Sequence, residues 1–200
     1  MKELLLNLKK NKKAIVFVAS MLGVYLFFQS LYDYVISPNT SVDAVLIDLI
    51  ISQSEGILQF LGYELLTPNP MYTDHMGIKD TAGVIIGTPC DGLSLFILFT
   101  SFLLVFSGKW WFKIIYILLG IGLIHFLNVL RVVALALVVK YSPESLDFHH
   151  SYTFTLFIYS IIFLVWMLRI KMYSKWKVWL YKDRFNRISI EKLFVVKSTF

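Results

Sequence analysis

The chain has 200 residues, 58% of them hydrophobic and 16% aromatic, with a mean hydropathy of +0.70, and the roughly 45–50% apolar content of an average soluble domain excludes that class. A formal charge of +6 and a pI near 9.3 would suit nucleic acid. The basic residues cluster at the ends of apolar runs, however, where membrane topology and anionic lipid explain them, so the expected partner is membrane lipid and no nucleic acid.

In chain order, apolar runs of the length that crosses a bilayer as a helix, about 17–25 residues, occur at 14–36, 83–106, 114–139 and 152–170. The first follows "MKELLLNLKKNKK" and is too long for the apolar core of a signal peptide, so it is expected to be an uncleaved anchor. Between the first two runs, 41–62 carries Asp48, Ser52, Glu55 and Gln59 at spacings of four, three and four. These form one polar stripe and predict an amphipathic outer helix ending near Gly62. "TPNPMYTDHMGIKDTAG" then reads as a turn-rich outer loop. Residues 171–200 form a basic tail.

Of the 19 Lys and Arg residues, five lie in the first 13 positions, two in "SGKWWFK" and nine from Arg169 onward. If the four runs alternate, all of these fall on one side, which the positive-inside rule makes the cytoplasm. The expectation is an all-α polytopic integral membrane protein: a single domain over 1–200, four transmembrane helices plus the outer helix, both termini cytoplasmic. It would lie in the cytoplasmic (inner) membrane.

Ionisable groups inside a spanning helix are costly and need a reason. The third run holds His125, Asn128 and Arg131 at spacings of three, which puts them on one helix face that must look into the protein. Counting helical rise, Arg131 sits roughly 15 Å inward from Tyr141 and Cys90 about 10 Å inward from Gly83, both from the outer side. The fourth run enters from that side directly after "DFHHSYTF", so His149 and His150 stand at the mouth of the same region.

A thiol, a guanidinium and an imidazole at one level suit nucleophilic chemistry. An adjacent cation favours the thiolate, a histidine can take and return the proton, and Arg131 can stabilise either the thiolate or a tetrahedral oxyanion. Asp91 and Gly92 fit a tight entry into a helix whose first turns would carry Cys90. Bland readings stand beside these. A lone membrane cysteine is more often a small packing residue, Arg131 could pair with Asp91, and His125 is most simply an interhelical hydrogen-bonder. Cys with His also raises zinc, but the ligands are few and neither H-E-x-x-H nor C-x-x-C spacing occurs, so no metal or other cofactor is expected.

"PCDGLSLFILF", "NVLRVVALAL" and "HHSYTFTLFIYSIIFLVW" resemble, in order, the three signature segments of the exosortase/archaeosortase family, most closely the short exosortase F branch. The resemblance implies a membrane-embedded cysteine transpeptidase acting on exported proteins with a C-terminal sorting signal, made of a recognition motif, a transmembrane helix and a basic cluster. It further implies Cys90 as nucleophile, Arg131 with Asn128 in an N-x-x-R pattern as the activating or oxyanion-stabilising residue, and His150 as the histidine, with His149 as the alternative. Asn128, Asp91 and Gly92 support the site, which faces the outer side. Two rival expectations remain: hydrolysis of the thioester by water, and a non-catalytic membrane assembly or transport component in which Arg131 pairs with an acid.

Overall fold

The computed structural model of the chain describes residues 11–67 and 74–174; most of the basic tail expected at 171–200 lies outside them. The described residues fall into two compact units that divide between Tyr159 and Ser160. Every candidate site residue belongs to the first.

Helix α1 runs Lys12–Asn39 and contains a π-turn at Tyr32–Ile36. Apolar for most of its length, it buries nothing between Lys12 and Leu31, as befits a helix solvated by lipid. Helix α2 runs Val42–Phe60 and closes on Gly62, whose φ of +87° supplies the left-handed turn that helix ends favour. Its inner face is Asp43, Ile47, Ile50, Ser54 and Leu58. On the opposite side Asp48, Ser52 and Gln59 are exposed.

In the connection to the next helix, expected as a turn-rich loop, residues 68–73 lie outside the described ones, and the rest combines turns with a small hairpin that an all-α chain would lack. Strands β1 (His75–Met76) and β2 (Val84–Ile85) pair antiparallel, His75 opposite Ile85 and Met76 opposite Val84, and Leu65 bridges Ile78. Glycine permits this closure. A Cβ on Gly77 would lie 2.7 Å from Gly83 Cα, and Gly83 itself adopts φ +71°. Met76, Ile78 and Ile86 are buried by the fold of this hairpin.

Helix α3 runs Leu93–Val105, α4 Trp110–Tyr141, and α5 Pro143–Ser174, the last opening with a 3-10 turn and containing a second π-turn at His149–Thr153. Helices α1, α4 and α5 are long and apolar enough to cross a membrane. Helix α3 has 13 residues, about 20 Å of rise, and is shorter than a bilayer core. The run at 83–106 is therefore not one helix: its first ten residues are strand, 3-10 turn and the left-handed Gly92, and the helical depth estimate for Cys90 does not apply. The last helix starts well before residue 152, because Pro143 is compatible with a first helical turn. His149 and His150 thus lie within a helix and not in a link before one.

The core joins Ile47, Ile50 and Leu58 of α2, Met76, Ile78 and Ile86 of the hairpin, and Val129, Val132, Val133 and Ala136 of α4, with Cys90 packed against it. Polar contacts add to this packing, with Ser54 Oγ donating to Val129 O (3.4 Å) and His125 Nε2 2.9 Å from Gln53 Oε1. Helix α1 packs on α3, and α3 on α4. At the α3/α4 crossing the Phe99 ring occupies the space a Cβ on Gly120 would need, a small-residue contact of the kind that lets membrane helices approach closely.

Candidate active site

Cys90 closes the 3-10 turn Thr88–Cys90, its N–H donating to Gly87 O at 2.8 Å. Gly92 follows at φ +86°, a left-handed conformation that L side chains resist. The reversal brings the Asp91 side chain back over the start of α3, where Oδ1 accepts the Leu93 N–H at 2.8 Å and satisfies one of the amides that a helix start leaves open.

Helix α4 fixes the turn from below. Asn128, wholly buried, donates Nδ2 to Cys90 O at 2.6 Å. Arg131 lies three residues on, nearly one turn along the same face, with Nη2 3.9 Å from Cys90 Sγ. No carboxylate among the described residues pairs with Arg131. The thiol's other neighbour comes from α5, where His150 Nε2 stands 3.4 Å from Sγ. His150 sits in the π-turn His149–Thr153, which shifts the facing of successive side chains; such turns often mark functional positions. The adjacent His149 turns elsewhere, with Nδ1 3.2 Å from Thr153 Oγ1 and its ring beside Phe148.

Two cavities flank the guanidinium. One of about 150 Å³ is partly polar, with Ser94, Thr155 and Tyr159 beside Arg131. The other, about 290 Å³, is mostly apolar, with Leu127, Leu130, Ala134 and Phe157 beside it.

The structure thus brings Cys90, Arg131 and His150 together, with Asn128 on the cysteine carbonyl and Asp91 and Gly92 shaping the turn. It does not bring His149 or His125 to the thiol. Sequence reasoning missed Asp43 and Tyr32, whose buried side chains meet each other beside Asp91. A signal was present: Asp43 falls off the exposed stripe that starts at Asp48, so a helical wheel already turns it inward.

Helices long and apolar enough to cross a membrane, together with one thiol contacted by a histidine and by an arginine, fit a membrane protein. The family model described as "Transmembrane exosortase (Exosortase_EpsH)" matches residues 6–168, most of the chain, and the protein belongs to that family. Neither the curated proteins nor the solved structures contain a significant match.

Proposed function

We propose that this protein is a membrane-embedded cysteine transpeptidase of the short exosortase F type. It removes the C-terminal sorting signal of exported proteins through a Cys90 thioester and transfers them to an acceptor nucleophile. The observation that carries the reading is the thiol of Cys90 held 3.4 Å from His150 Nε2 and 3.9 Å from Arg131 Nη2.

The chemistry follows from those contacts. His150 Nε2, in its unprotonated state, takes the thiol proton, and Sγ attacks the scissile carbonyl carbon. The tetrahedral oxyanion forms beside the Arg131 guanidinium, which stabilises the developing charge. Collapse breaks the C–N bond, and the imidazolium returns its proton to the departing amine, which leaves with the substrate's own transmembrane helix. The acceptor then loses its proton to His150 and attacks the thioester, and the thiol is regenerated. Asn128 holds the Cys90 carbonyl throughout. No cofactor enters the scheme. Water as the acceptor would make the same site a peptidase.

The topology that serves this chemistry takes α3 as a short fourth pass beside α1, α4 and α5, which puts both termini in the cytoplasm and the site on the outer side of the cytoplasmic membrane. A sorting signal anchored by its own helix and basic cluster would present its motif there. Among the described residues Arg131 contacts a thiol and no carboxylate, which supports the catalytic reading over an assembly component held together by a buried ion pair.

The test is to compare exported membrane-anchored proteins, by mass spectrometry, in cells carrying the wild-type protein or Cys90→Ala at matched levels. Unprocessed C-terminal helices accumulating only with Cys90→Ala are expected; identical processing in both would overturn the proposal.

A further inference from the structure

Behind the Cys90 turn lies a polar network that the proposed chemistry does not use. Asp43, on the inner face of α2, is 8% exposed, and Asp91 is 3% exposed. Their carboxyls lie against one another, and both face Tyr32 of α1. The donors can be counted. Asp43 Oδ1 accepts the Tyr32 hydroxyl, and Asp43 Oδ2 accepts the Ser37 hydroxyl at 2.6 Å. Asp91 Oδ1 accepts the Leu93 N–H. Asp91 Oδ2 is buried and has no donor.

Two adjacent buried carboxylates cannot both ionise without a compensating cation, and no Lys or Arg pairs with either of them among the described residues. Three neutral donors satisfy three oxygens and leave the fourth open. A single proton on that fourth oxygen supplies the missing donor and removes one negative charge in the same step.

We infer that Asp91 and Asp43 hold one proton between them, and that Asp43, braced by Tyr32 and Ser37, is a positioning residue for the Cys90 turn. The network reaches the thiol by a short covalent path, since Asp91 is the residue after Cys90. It ties that turn to α1 and α2, whereas Asn128 ties it to α4. Tyr32 opens the π-turn of α1, so one π-turn bears His150 and the other bears the brace. Neither Asp43 nor Tyr32 touches the reacting atoms; their effect is on where Sγ points.

The inference rests on the catalytic reading of Cys90, and its test does not require the natural substrate. The single thiol is alkylated with iodoacetamide at fixed pH in the full-length protein in detergent, with thermal stability recorded for each variant. An amide can stand in for a protonated carboxyl and an apolar side chain cannot. Asp43→Asn is therefore expected to keep the wild-type rate within about threefold, and Asp43→Leu to lose about tenfold or more, the scale of one lost buried hydrogen bond. Tyr32→Phe, which removes one hydroxyl and no volume, gives a smaller loss in the same direction and stands in if Asp43→Leu does not fold. A wild-type rate in Asp43→Leu or, where that variant does not fold, in Tyr32→Phe overturns the positioning role. Equal losses in the Asn and Leu variants overturn the shared proton. So does a wild-type rate that falls with a chelator and returns with calcium or magnesium, because a cation would then hold the carboxylates. An unreactive thiol in the wild type sinks the catalytic reading itself, whereas a reactive thiol indifferent to Asp43 sinks only this inference.

Discussion

Asn128 donates its side-chain amide to the carbonyl oxygen of Cys90 at 2.6 Å from a fully buried position on α4. The contact fixes the backbone of Cys90 to the helix that carries Arg131, so thiol and guanidinium share one reference. Asn128→Leu leaves that carbonyl without its donor, a loss of about 1–3 kcal/mol. The expected result is a cleavage rate reduced roughly 5- to 100-fold, measured on a membrane-anchored reporter, with protein level unchanged.

The two adjacent histidines separate cleanly by geometry. His150 Nε2 contacts the thiol, whereas His149 bonds Thr153 within its own helix. His150→Ala is expected to lower processing by about 10²–10⁴-fold, the usual worth of general acid–base catalysis. His149→Ala should stay within a few-fold of wild type in the same assay. The reverse order would reassign the base.

Arg131 offers a planar fork, with Nη2 3.9 Å from Sγ and the side chain lining both flanking cavities. Arg131→Lys keeps the charge and loses that geometry, so it is expected to recover only part of the activity that Arg131→Ala abolishes. The check is steady-state cleavage across the three proteins. Full recovery in Arg131→Lys would mean that charge alone matters.

Gly92 combines φ +86° with an ideal Cβ position 3.4 Å from Asn128 Nδ2. Gly92→Ala therefore strains the backbone by about 1–2 kcal/mol and sets a methyl in contact with the residue that holds Cys90. Lower thermal stability together with slower cleavage is the expected outcome, both read on the purified protein.

Much of this arrangement was legible in the sequence. Cys90, Arg131 and the histidine pair stood out because polar groups inside apolar runs need partners, and the family resemblance ordered them. Helix α2 was legible because its exposed stripe repeats at helical spacing. The hairpin was not, since two-residue strands carry no periodicity and depend on the close approach of Gly77 to Gly83. The late start of α3 was hidden because hydropathy at 83–106 is blind to the reversal at Gly92. The two π-turns left no signal in composition, yet they set the facing of Tyr32 and His150. Asp43 was not singled out, although its phase on the helix departs from Asp48 and the rest of the stripe.

The central claim is that Cys90 is a nucleophile activated by its two neighbours, and the most direct measurement is the alkylation rate of this single thiol at fixed pH in the wild-type protein, Arg131→Ala and His150→Ala. The expected result is a fast wild-type reaction that slows about tenfold or more in each variant while the proteins remain folded. A slow reaction that is the same in all three would make Cys90 a packing residue and contradict the claim.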